Sequence, residues 1–158
     1  MNVLLQDLKN NYKEGKYQEA LRLIEKAERE GFLCPEVLVW KGRCLQLLDG
    51  DTGYQLSDIE NTFKQALEMD EDFTPAIVEL AWFYLNVLDD AKRAAELFEK
   101  AVNSQKQLLT EAVVGKAKCL METETKDATK SYLAEITSSC LDSNELQKVL
   151  EEVESFNG

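Results

Sequence analysis

The sequence predicts an all-α chain, an α-α superhelix (solenoid) of about four helix–turn–helix repeats closed by a C-terminal capping helix. Three observations predict it. A pattern of small-x3-large-x2-small residues recurs as Ala20-Ile24-Ala27, Ile59-Phe63-Ala66 and Ala94-Phe98-Ala101, with a weaker copy at Ala128-Tyr132-Glu135, and its large members stand 39, 35 and 34 residues apart. In the helices before these, Leu8, Gly42, Trp82 and Gly115 take one equivalent place, at intervals of 34, 40 and 33. The chain has only two prolines and seven glycines in 158 residues, with 44% hydrophobic residues. A period near 34 with helical spacing inside it marks stacked helix pairs, each of which buries its apolar face only against its neighbours.

The elements follow in order. Residues 2–14 read as a first helix with Leu4, Leu5, Leu8 and Tyr12 as its stripe, broken at Gly15. Tyr17 opens a second helix to Arg29, and Gly31 ends it in the C′ role. Pro35 suits the first turn of a third helix, 35–48. Asp49 to Leu56 is an insertion of about five residues relative to the neighbouring copies, rich in loop formers. Asp49, Asp51 and Asp58 lack the ligand alternation and terminal Glu of a calcium loop. Ser57 with Glu60 reads as a capping box for a helix ending at Met69.

PAIVELAWFYLNVL, at 75–88, is too densely apolar for a one-sided helix and fits one covered on most faces. AKRAAELFEKAV, at 91–102, has one apolar face, with small alanines seven residues apart and Phe98 between them, which lets a neighbouring helix come close. A turn is expected next, then a pair over about 105–121 and 126–139. Asp142 and Glu145 cap a last helix with Leu146, Val149, Leu150, Val153 and Phe156 on one face. The whole chain, 1–158, reads as one domain with repeats at about 1–34, 35–74, 75–107 and 108–141 and a capping helix at 143–156.

These residues carry a resemblance. GKYQEALRLIEKA at 15–27 and AKRAAELFEKA at 91–101 resemble the second half of the tetratricopeptide repeat, a 34-residue helix–turn–helix with the pattern W-x2-L-G-x2-Y…A-x3-F…P. The first half is degenerate: Gly42 and Gly115 keep the glycine, Leu8 and Trp82 replace it, and Glu71 stands where the closing proline would follow. The resemblance covers residues 1 to about 140 and speaks for the fold more than for a ligand.

The residues exclude several classes of function. There is no histidine, so no Ser-His-Asp or Cys-His pair can form. No glycine stretch matches a phosphate-binding loop. Acidic pairs such as Asp89-Asp90 and Glu151-Glu152 point in different directions on a helix and read as solvated faces. Cys34, Cys44, Cys119 and Cys140 show no metal-ligand spacing and read as four thiols of a reducing cytoplasm. An enzyme, a metal site and a cofactor are therefore not expected. The net charge of −12 disfavours nucleic acid and anionic membranes, and no apolar run suits a membrane span or a secretory leader. Nothing in the sequence specifies an oligomeric state.

What remains is protein binding. The resemblance implies that the first helices of each pair line a concave groove and that their open positions hold a partner segment. By alignment these are Leu5, Lys9, Tyr12 and Lys13 in the first copy, and Val39, Arg43, Gln46 and Leu47 in the second. The third copy offers Glu79, Phe83, Asn86 and Val87, and the fourth Ala112, Lys116, Cys119 and Leu120. The four first helices together hold six basic and five acidic residues, against 12 and 25 elsewhere, so Lys9, Lys13, Arg43 and Lys116 would make a locally basic groove on an acidic body. Such a groove suits an extended peptide with a carboxylate, its apolar side chains set against Tyr12 and Phe83. Family members that clamp chaperone C-termini use Lys and Arg on the third such helix, which here has no basic residue, so that ligand is not expected. Substitution of Phe83 by alanine is expected to abolish binding and leave stability intact. The alternative is a dedicated acidic antagonist or chaperone, such as a secretion chaperone or toxin-neutralising immunity protein, that captures a basic partner by electrostatic steering.

Overall fold

A computed structural model describes residues 2–48, 53–123 and 126–139. Seven helices account for most of them: α1 (Asn2–Lys13), α2 (Tyr17–Arg29), α3 (Pro35–Gln46), α4 (Leu56–Met69), α5 (Thr74–Asn86), α6 (Ala91–Thr123) and α7 (Lys126–Ser139). No strand occurs among the described residues. Residues 49–52 of the insertion, Cys140 and the expected capping helix with its Asp142–Glu145 box lie outside the described residues. The chain falls into two compact units, Met1–Lys106 and Gln107–Gly158.

In the first unit the helices pack in chain order. α1 lies on α2, α2 on α3, α3 on α4 and α4 on α5, while α1 also meets α3 and α3 meets α5. α1 and α2 end where the sequence supplies the stop. Gly15 and Gly31 adopt φ values of 72° and 77°, which a side chain resists, and the following Lys16 and Phe32 amides reach back to the Asn11 and Ala27 carbonyls at 2.8 Å. α4 opens two residues earlier than Ser57 predicts. The Asp58 carboxylate, at the third helical position, accepts the Gln55 N–H at 2.7 Å, so the capping pair is Gln55–Asp58 in place of Ser57–Glu60. Glu60 instead accepts the Tyr84 hydroxyl at 2.8 Å and pairs with Lys64 at 2.6 Å, and these bonds hold its carboxyl below the usual range.

The core is one main cluster: Leu8 of α1; Ala20, Leu21 and Ile24 of α2; Val37, Cys44 and Leu45 of α3; Ile59 and Phe63 of α4; Leu80, Phe83 and Tyr84 of α5; and Ala94 of α6. The recurring small-large-small residues supply it, since Ala20, Ile24, Phe63, Ala66 and Ala94 are all buried. A smaller cluster of Leu38, Val39, Ala66 and Ala76 joins α3, α4 and α5.

Two expectations need correction here. α6 runs unbroken through 103–107, where a turn was expected, for 33 residues in all. Asn103-Ser104-Gln105-Lys106-Gln107 contains neither Gly nor Pro, and nothing in it outweighs the helix on either side. The intervals between equivalent residues also differ in α5. Buried Leu38, Gly42, Cys44 and Leu45 of α3 correspond to buried Ile77, Ala81, Phe83 and Tyr84 of α5, an interval of 39 in place of 40. Ala81, and not Trp82, therefore occupies the Gly42 position.

Burial pushes the Cys44 thiol from 9.0 up to about 11, with Arg43 pulling slightly the other way. A raised value in the fold favours the protonated thiol, so its stabilisation is complete below pH 9 and is lost as pH rises toward 11. Unfolding free energy should accordingly fall over that window, and the raised values of Tyr12 and Tyr84 add to the fall above pH 10. At pH 8, Cys44 should react with a thiol reagent no faster than the chain unfolds, because the thiolate is the nucleophile. Peptide mapping of labelled protein with and without urea checks this.

Candidate functional site

α1, α3 and α5 lie side by side, and a row of large side chains crosses them. Tyr12 of α1 meets Tyr17 edge-on at 5.5 Å between ring centroids and Trp40 of α3 at 5.2 Å. The Arg43 guanidinium sits over the Trp40 ring at 4.8 Å. It then reaches α5, donating to Glu79 Oε1 from Nη2 at 2.6 Å and from Nε at 2.8 Å. A guanidinium held by two bonds on one side and a ring on the other is fixed in orientation. Burial raises the Tyr12 hydroxyl above its usual value, with Arg43 opposing.

The sequence-predicted residues divide into four sets. Tyr12, Arg43 and Glu79 come together in the row; half-buried Leu5, Lys9 and Gln46 and exposed Lys13 stand on α1 and α3, and exposed Leu47 directly follows α3. Val39 and Phe83 do not belong with them. Val39 is 2% exposed and Phe83 0%, so both are core residues with no surface to offer a ligand. Asn86 and Val87, at the end of α5, are exposed. Ala112, Lys116, Cys119 and Leu120 lie on the part of α6 that belongs to the second unit. There the Lys116 ammonium stands over the Tyr132 ring of α7 at 4.3 Å.

Reasoning from sequence missed Trp40 and Trp82. Trp82 is 48% exposed and meets Phe98 edge-on at 5.0 Å. The Trp82–Phe98 pair of the first unit and the Lys116–Tyr132 pair of the second are each an α-helical contact repeated 34 residues on. That recurrence aligns Lys9, Arg43, Trp82 and Lys116, and makes Trp82 the third-copy residue of the series in place of Phe83. The signal was present in the sequence as the tight spacing of Trp82 to Phe98, but a tryptophan in a dense apolar run reads as core.

The expected basic groove is also largely neutralised. Lys9 pairs with Glu36 at 3.3 Å and Arg43 with Glu79. What the face offers is aromatic surface with charges already paired. Open clefts lie elsewhere in the first unit. One of about 260 Å³ is lined by Val3, Leu4, Leu23 and Phe32, and a polar one of about 570 Å³ by Tyr54, Asp58, Lys64 and Glu68. Among the described residues no group of three or more acidic or thiol side chains is placed to hold a metal, and no helix is long and apolar enough to cross a membrane. No protein-family model matches the chain, and a search of the curated proteins finds no match.

Proposed function

We propose that the protein is a non-enzymatic interaction module of the tetratricopeptide type, which binds an extended segment of another protein across α1, α3 and α5. In this reading α1/α2, α3/α4, α5 with the first half of α6, and the second half of α6 with α7 are its four helix pairs. The observation that carries it is the row Tyr12–Trp40–Arg43–Glu79, held in place on three successive first helices, with exposed Trp82 three residues beyond Glu79 on α5. Rigid aromatic and Arg side chains lose little entropy on binding, which is why they dominate the energetics of protein interfaces. The ligand this face suits has apolar and aromatic side chains; a carboxylate would have to displace Glu79 from Arg43.

A displayed peptide library selected against the protein tests it. Selected peptides should lose about tenfold or more in affinity on Trp82→Ala, a hot-spot loss of about 1.4 kcal/mol or more, while the helical circular dichroism stays unchanged. Peptides indifferent to both Trp82→Ala and Arg43→Ala would place recognition on another surface. A second reading, an acidic antagonist or chaperone of a basic protein, is favoured by the net charge of −12 and by exposed Glu68, Asp70, Glu71 and Asp72 at the α4–α5 turn. Binding of that kind weakens steeply between low and high salt, whereas recognition by aromatic contacts does not.

A further inference from the structure

α3 and α5 carry side-chain pairs at matching places, and only one of the pairs is complete. At the interval of 39, Trp40 and Arg43 of α3 correspond to Glu79 and Trp82 of α5. Residues three apart on a helix are neighbours on one side of it. In α3 that spacing lays the Arg43 guanidinium over the Trp40 ring at 4.8 Å. In α5 it sets the Glu79 carboxylate one turn from the Trp82 ring, which is exposed. Among the described residues, cations stand over the rings of Trp40, Tyr84 and Tyr132, and none over Trp82. The Arg43–Glu79 bridge also has an oxygen to spare. Arg43 Nε and Nη2 both reach Glu79 Oε1, at 2.8 and 2.6 Å, and neither uses Oε2. The Glu79 side chain is 19% exposed, enough for a ligand atom to reach it.

We infer that the segment bound across α1, α3 and α5 carries an arginine, whose guanidinium lies on the Trp82 ring and donates to Glu79 Oε2. The order across the face is then ring, guanidinium, carboxylate, guanidinium, ring, with Glu79 between two cations. Charge agrees with this occupant. Glu79 is the only charged residue of α5, and the turns at its two ends hold Asp70, Glu71, Asp72, Asp89 and Asp90. Lys100 and Arg93 are already engaged, with Asp72 and Asp90. Residues 1–106 as a whole hold 13 basic and 20 acidic residues, a field that draws a cation in. Arginine fits the place and lysine does not. A guanidinium is planar and weakly hydrated, so it can stack on a ring while its edge bonds a carboxylate, whereas an ammonium is a compact, strongly hydrated point charge.

The inference rests on the peptide-binding reading and deepens it, and one experiment separates their failures. The probe is an array of synthetic peptides with arginine, lysine or citrulline at one central position and varied apolar and aromatic residues around it, titrated with the full chain. The tightest binders should hold arginine. Exchange for citrulline, which keeps the shape and removes the charge, should cost about tenfold or more in affinity, as loss of a charged hydrogen-bond partner does. On Glu79→Gln the same exchange should cost little, because the cycle isolates the pair. On Trp82→Leu, at an exposed position where folding is not at stake, it should cost less than on the wild type. Binding that depends on Trp82 but is indifferent to citrulline would overturn the inference and leave the peptide-binding reading standing, and equal affinity for lysine would do the same. A citrulline loss as large on Glu79→Gln or on Trp82→Leu as on the wild type would place the arginine elsewhere and overturn it too. Binding indifferent to both Trp82 and Arg43 would overturn both.

Discussion

Replacing Phe83 by alanine should lower the unfolding free energy by about 3–5 kcal/mol, the range for removing a fully buried aromatic ring. Phe83 has no exposed surface and belongs to the cluster that joins α3, α4, α5 and α6 through Cys44, Phe63, Leu80 and Ala94. The loss has two parts, the transfer energy of the ring and the cavity left between helices that are too constrained by their neighbours to close over it. A residue next in sequence supplies the control. Trp82 is nearly half exposed, and its ring meets Phe98 edge-on, so Trp82→Ala should cost no more than about 1.5 kcal/mol, the upper worth of one aromatic pair. Urea titrations of the two variants, read as midpoint shifts at constant slope, make the comparison. Comparable losses for both would mean that the face assignment of α5 is wrong. The sequence-based expectation that Phe83→Ala reports on a groove at no cost in stability is thereby reversed: Trp82 has that role.

Gly42→Ala should destabilise the protein although helix propensity argues for the opposite. Alanine in a helix interior is favoured over glycine by about 0.8–1 kcal/mol. At Gly42, however, a methyl group would overlap the ring of Phe63, which is wholly buried and has nowhere to swing. Overpacking of that kind costs about 1–3 kcal/mol, occasionally more, so the net effect is a loss, and leucine should cost more than alanine. Gly115 is the contrast. A Cβ there meets nothing within 4 Å, and Gly115→Ala should be neutral or stabilising by the propensity difference. Thermal unfolding of the pair of variants, with opposite signs expected, separates close packing from propensity.

Much of the fold could be read from the residues because helix pairs write their packing into short spacings. Ala20-Ile24-Ala27 and its copies are three points on one face; all six residues of the first two copies lie in the core as the spacing requires, whereas Phe98 of the third is half-buried and Glu135 of the fourth is exposed. Gly15 and Gly31 end α1 and α2 for a reason any sequence displays. α6 was misread because a turn was placed by the period of the repeat, whereas the residues of 103–107 have only their own preferences, and those are helical. The face of α5 was misread by one residue for a related reason. Eleven apolar residues in PAIVELAWFYLNVL leave no polar side to fix the rotation, so the inside and outside of the helix differ only through what packs on it. Trp40 and the Arg43–Glu79 bridge depend on α1, α3 and α5 meeting, and no spacing within one helix encodes a contact between residues 36 apart.

The order of packing in the first unit also governs how it comes to be folded. Each helix from α1 to α5 touches the ones next to it, or the next but one, and the main-chain loops to be closed are correspondingly short. Chains built from sequence-local contacts have little loop entropy to overcome before each contact is rewarded, and they fold fast. The same economy leaves the ends weakly held. Among the described residues, opening α1 gives up mainly its contacts with α2 and α3, so the molecule can shed its first helix while Phe63 and Phe83 stay in place.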